Sequence, residues 1–260
     1  MPTNFWKSPD SVKQLNDLDR SGFALEFLRR NPEYRQDHRE TLRRIERGAV
    51  DEATALSSLA RRWGCSFAHD PETPTGREPA LWLPEIDPGT LIIASAPPRF
   101  AADGTFDPTA FGKVVADRSD EGDRQVVIGD ARGEIHVWMN ERAPSRPAII
   151  LPLDASLEIR LEVASRFVRR LQGGAAGPLP RALQLTAQRR ARLILLLHTL
   201  DFRLGGAGPR DIAASLIDAE DAALPALEWK SSATRRKANR LIHDSIALMN
   251  GGYKRLLRGG

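Results

Sequence analysis

The chain has 260 residues, long enough to bury a core without staples, and its 41% hydrophobic content with 28% charged residues fits a globular protein rather than a disordered one. The single cysteine, Cys65, excludes an internal disulfide framework. The longest apolar run, Leu193 to Leu197, is far short of the roughly 20 residues that a bilayer demands, and no basic start, apolar core and cleavage site precede the first charged helix, so a soluble, cytoplasmic protein with no membrane partner is expected.

The formal charge of +4 hides an asymmetry. Between Arg181 and Gly260, 14 Lys/Arg stand against 7 Asp/Glu, whereas the middle of the chain is acidic. A polyanion would therefore bind at the carboxy-terminal end.

In chain order, Asn16 to Trp63 reads as two to three short helices, with apolar positions Phe23, Leu25, Phe27 and Leu28 before the break at Asn31-Pro32. A second amphipathic run carries Leu42, Ile45, Leu56, Leu59 and Ala60 and ends at Trp63-Gly64. Pro71, Pro74, Gly76 and Pro79 then mark a linker in which no helix persists.

From Leu81 to Leu153 the pattern changes to short β-rich runs at 81–83, 90–94, 124–129, 134–139 and 147–151. The turn residues of Gly129-Asp130-Ala131-Arg132-Gly133 join two of them as a hairpin, and the whole reads as a small antiparallel sheet. A helix follows over 156–171, and Gly173 to Pro178 forms a flexible boundary. The expected fold class is α+β, with an N-terminal helical module (1–70), a small α+β middle region (80–172) and a C-terminal helical domain (180–260) of helix-turn-helix-variant type.

The last third carries the functional signal. Thr186 stands as the N-cap of a long helix whose buried face is Leu193, Leu196, Leu197 and Leu200. After Gly205-Gly206-Ala207-Gly208, Pro209 opens a short helix with Ile212, Ala213, Leu216 and Ile217 inward and the small Ala214 beside them. The linker Asp218 to Glu228 is longer and more acidic than a simple helix-turn-helix turn, with Trp229 filling the core beneath it. The final long helix turns Ala238, Leu241, Ser245 and Leu248 inward.

On its other side, Arg236, Asn239, Arg240 and His243 share one stripe at i, i+3, i+4, i+7, the relation that contiguous groove contacts need. Arg236 and Arg240 present planar forks suited to guanine edges, and Asn239 presents an amide suited to adenine. Lys230, Arg235, Lys237 and the hydroxyls of Ser231, Ser232 and Thr234 suit phosphates, while Ser231 or Ser232 also suits the N-cap. These nine residues, Lys230, Ser231, Thr234, Arg235, Arg236, Lys237, Asn239, Arg240 and His243, are the candidate DNA-binding set, and double-stranded DNA is the expected partner.

The closing run Leu248-Met249-Asn250-Gly251-Gly252-Tyr253-Lys254-Arg255-Leu256-Leu257, with the leucine helix, Pro209-Arg210-Asp211-Ile212-Ala213, Trp229 and Arg235-Arg236-Lys237, resembles the helix-turn-helix variant of FseA-type activators and QseM-type antiactivators of proteobacterial integrative and conjugative elements. The run Gly22 to Tyr34, with Arg61-Arg62-Trp63-Gly64, is similar to the small transcriptional regulator domain that precedes it, except that Leu25 stands where an aromatic is common. The resemblance implies a DNA-binding transcriptional regulator, an activator of excision or transfer genes, with RNA polymerase or an antiactivator protein as further partners and a homodimer on a two-fold operator. The alternative it leaves open is an antiactivator that binds a related regulator without touching DNA.

An enzyme is not expected. The chain has no Gly-x-Gly-x-x-Gly turn after a strand and no phosphate loop ending in Lys-Ser/Thr, and neither a cofactor nor a metal is called for by its five histidines. Cys65 and His69 are close in sequence, but a Pro-rich loop beside them favours incidental placement over a nucleophile and its base. The carboxylates of Asp117 to Asp123 lack the spacing of a calcium loop.

Overall fold

The computed structural model describes residues 15–259 apart from 77–78, 101–103, 121, 131–132 and 142. Residues 1–14 of the expected N-terminal module, Glu121 of the acidic loop, and Ala131 and Arg132 of the expected hairpin turn lie outside the described residues.

Helix α1 (Arg20–Arg29) starts at Asp19, whose side chain accepts from the Gly22 amide, and every residue from Arg20 to Leu28 is buried. It is therefore a central helix rather than a surface one. Asn31 breaks the chain and caps α2 (Pro32–Glu46) by accepting from Glu33 and Tyr34. Helix α3 (Glu52–Trp63) ends at Gly64, where φ is +87°, a left-handed conformation that glycine adopts without a Cβ clash.

The middle region holds β1 (Thr90–Ser95), β2 (Val114–Ser119), β3 (Arg124–Ile128), β4 (Ile135–Met139) and β5 (Pro147–Ile150), in the order β2-β3-β4-β1-β5. The sheet is mixed, not purely antiparallel as the sequence pattern suggests, because β1 runs parallel to β4. The two corresponding sequence runs are not neighbours in the chain, and a long connection lets the strand arrive from either end. The run at 81–83 makes only an isolated bridge, Trp82 to Cys65, and β2 forms where no strand is expected.

Helix α4 (Leu157–Leu171) covers one sheet face, setting Val163, Ala164 and Phe167 against Leu91, Ile93, Val126, Ile128, Val137 and Met139. The remaining helices are α5 (Ala187–Leu204), α6 (Pro209–Leu216), α7 (Ala219–Ala223), α8 (Ala226–Ser231), α9 (Ala233–Ala247) and α10 (Tyr253–Leu257).

The two ends of the chain share one core. Phe23, Phe27, Leu28 and Tyr34 pack with Leu197, Leu200, Tyr253 and Leu257, all fully buried. Burial of each such side chain contributes about 1.5–3 kcal/mol. Polar contacts hold the same seam: the Asn31 amide donates to the Met249 carbonyl at 3.1 Å, and the Tyr253 hydroxyl donates to the Trp63 carbonyl at 2.8 Å. No helix among the described residues is long and apolar enough to cross a membrane.

Candidate nucleic-acid interface

The expected order of α5, α6 and a basic α9 is present, and its inner side is as the periodicity requires. Thr186 accepts from the Arg189 amide and caps α5, while Leu193, Leu196, Leu197 and Leu200 are buried. Pro209 opens α6, where the Asp211 carboxylate accepts from the Gly208 amide at 2.9 Å. Ile212 and Ala213 are buried, but Ala214 is exposed and takes no part in that packing.

The acidic stretch after α6 is not an extended linker. It folds as α7 and α8, with Asp218 accepting from Glu220 and Asp221 at the start of α7. Trp229 closes a small core with Ala213, Ala222 and Ala238, and the Arg210 guanidinium lies 5.2 Å from its ring centroid. That ring is therefore committed to the fold and not available for base stacking.

Ser232, rather than Ser231, caps α9, accepting from the Arg235 amide at 3.0 Å. Ala238, Leu241 and Ser245 point into the protein. On the opposite side Arg236, Lys237, Asn239, Arg240 and His243 are exposed, as are Lys230 and Ser231 at the end of α8. Periodicity alone thus placed Arg236, Asn239, Arg240 and His243 on one outward stripe.

Thr234 departs from that set. It is buried, and its hydroxyl donates to the Asp221 carboxylate, so it joins α9 to α7 instead of facing a phosphate. Arg235 is half-buried and donates to the Lys230 carbonyl at 2.8 Å, and Arg236 donates to the Ser231 carbonyl at 2.7 Å. Both guanidiniums thus lean on the C-terminal end of α8, whose unpaired carbonyls attract cations. Asp244 beside His243 is bridged by Arg192 of α5 at 2.6 Å, which offsets that carboxylate.

The first turn of α9 contains no acidic residue, whereas α6, α7 and α8 each carry one or two there. Arg235 and Arg236 instead stand where the helix dipole disfavours cations.

The other sequence candidates resolve differently. Burial pushes the Cys65 thiol up to about 12, so it is not an activated nucleophile. Asp117 is held by Arg124 at 2.6 Å and Asp123 by Arg61 at 2.9 Å. Asp221, in the acid-rich stretch before α9, is the partner of Thr234, a contact that helical spacing does not indicate.

Three family models match successive parts of the chain. Residues 5–68 are similar to a proteobacterial transcriptional regulator-like domain, residues 89–149 to a domain of unknown function, and residues 150–258 to a domain described as "T6SS, Transcription factor, DNA binding domain". No curated protein and no solved structure matches the chain. An exposed basic helix inside a segment similar to a DNA-binding domain, behind a regulator-like domain, supports a DNA-binding transcription regulator.

Proposed function

We propose that the chain is a sequence-selective DNA-binding activator whose α9 enters the major groove. Arg236, Asn239 and Arg240 read base edges, with His243 at the far end of the stripe. Lys230, Ser231, Arg235 and Lys237 anchor phosphates, with Arg235 exchanging its carbonyl contact for a phosphate oxygen. The observation that carries this reading is the unbroken exposed stripe on a helix whose other side is locked into the core by Ala238, Leu241 and Ser245.

The regulated genes in this reading are those of excision or transfer in a conjugative element, as the closing run around Tyr253 suggests. RNA polymerase is met through the N-terminal helices, and a two-fold operator implies a homodimer. Fluorescence anisotropy with DNA from the protein's own gene neighbourhood, at low and moderate salt, tests it. Selective binding that Arg236→Glu/Arg240→Glu abolishes is the expected result. Weak, unselective binding that is equal in the double variant would overturn it.

One feature favours the antiactivator alternative. Leu161, Val168 and Leu171 on α4 are exposed, an apolar face of the kind that meets a protein partner. In that case a regulator would be retained after nuclease treatment, and substitutions on α4 rather than α9 would release it.

A further inference from the structure

Helix α4 buries Val163, Ala164 and Phe167 against the sheet and leaves a second apolar strip uncovered. Leu161, Val168 and Leu171 are 47%, 39% and 49% exposed, and Leu157 is half-buried. At about 100° per residue, Leu161 and Val168 point within about 20° of each other, with Ser165 about 40° further towards solvent. Apolar side chains at this spacing make the seam along which one helix packs on another.

The charges beside the strip are sorted along the helix. Glu158, Glu162 and Arg169 are exposed and follow its solvent flank, acidic in the first half of α4 and basic in the second. The carboxylates of Glu158 and Glu162 meet no hydrogen-bond or ion-pair partner among the described residues. Arg169 donates its Nε to the Ala176 carbonyl at 2.9 Å and meets no carboxylate among them.

A flank sorted in this way is complementary to itself only when turned end for end. Antiparallel helices related by a two-fold axis set Glu162 of each copy opposite Arg169 of the other, whereas parallel helices set Glu162 against Glu162. The same antiparallel arrangement sets Leu161 opposite Val168. The midpoint of each pairing falls beside Ser165, so charge and apolar contact select the same axis independently. Ser165 is small enough for close approach, and its hydroxyl is already satisfied by the Leu161 carbonyl at 2.9 Å.

We propose that α4 is the contact between two copies of this chain, packed antiparallel about a two-fold axis at Ser165. The pairing gives the homodimer of the proposed function its surface and rests on that reading only for its purpose, since its geometry comes from α4 itself. A partner of different sequence has no use for an order of charge that mirrors itself across Ser165.

Cysteine cross-linking of the full chain without DNA tests this, so its outcome is separate from that of the DNA-binding experiment. The native Cys65 is buried and stays out of the reaction. Ser165→Cys brings its two thiols together at the axis and is expected to give a disulfide-linked dimer under copper-phenanthroline oxidation. Glu158→Cys stands about 20 Å from its counterpart at about 1.5 Å per residue, beyond the roughly 7 Å that a disulfide tolerates between Cα atoms, and is expected to link at least about tenfold more slowly. Leu161→Glu added to Ser165→Cys is expected to slow linkage about tenfold with the melting temperature unchanged, because Leu161 is exposed. The proposal is overturned if Ser165→Cys stays unlinked on oxidation, if Glu158→Cys links as fast, or if Leu161→Glu leaves the rate as it was.

Discussion

Arg30 and Asp201 form a two-pronged ion pair, with Nε to Oδ1 at 2.6 Å and Nη2 to Oδ2 at 3.0 Å, that ties α1 to α5 across 171 residues of sequence. Glu26 completes the group by engaging both Arg29 and Arg30. The charges sit beside the apolar seam where the two ends of the chain meet, so their partners decide whether that seam closes.

Removing one prong tests the pair. Asp201→Asn is expected to lower the unfolding free energy by about 2 kcal/mol, since Glu26 still faces Arg30 and the guanidinium is not left alone. Urea unfolding of the single variants and of Asp201→Asn combined with Arg30→Gln gives the coupling. A coupling near zero would show that the fork adds nothing beyond its separate parts.

Glu26 predicts an acid limit. Burial by itself would raise its carboxyl, but Arg30 and Arg29 outweigh that and lower it to about 2 from an ordinary 4.5. A folded-state value below the unfolded one stabilises the fold in full above about pH 4.5, and this contribution is lost as the pH falls towards 2. Glu26→Gln should therefore be less stable at neutral pH yet lose less stability across that window. Melting temperatures measured at successive pH values that fall in parallel for both chains would count against the assignment.

Thr234 separates a structural hydroxyl from a phosphate contact. Thr234→Val keeps the branched shape but leaves Asp221 without its donor, so a loss of about 1 kcal/mol in stability is expected. DNA affinity should stay as it was at every salt concentration. A several-fold weaker affinity with an unchanged salt slope would mean that the hydroxyl turns outward to a phosphate, a neutral contact that releases no counterion.

Between α9 and α10 the two adjacent glycines differ in kind. Gly251 sits at φ +108° with open space where a Cβ would stand, so Gly251→Ala costs about 1 kcal/mol through backbone strain alone. A Cβ on Gly252 would lie 2.6 Å from the Ala247 carbonyl oxygen, and Gly252→Ala must move the backbone of the turn. The expected order of urea midpoints is parent, then Gly251→Ala, then Gly252→Ala; the reverse order for the two variants would contradict this geometry.

What the sequence revealed was whatever repeats locally. The leucines of α5, its cap Thr186 and the outward stripe Arg236, Asn239, Arg240 and His243 follow from residue types and helical spacing within one element, while the cap of α9 is narrowed only to Ser231 or Ser232. The features that escaped depend on partners elsewhere. Strand β2 is a sheet edge with polar Asp117, Arg118 and Ser119, so it lacks the apolar alternation that marks a strand. The parallel pairing of β1 with β4 and the inward turn of Thr234 towards Asp221 are contacts between separate segments, which no local period records.

The seam between α1 and α10 also sets a timetable. Arg20 meets the Leu257 carbonyl at a separation of 237 residues, and Phe23, Phe27 and Leu28 reach their final neighbours only when Tyr253 and Leu257 exist. At synthesis rates of about 5–20 residues per second, roughly 10–50 s pass between the making of α1 and the making of its partners. Throughout that interval the most apolar helix of the N-terminal region is a nascent segment awaiting its other half.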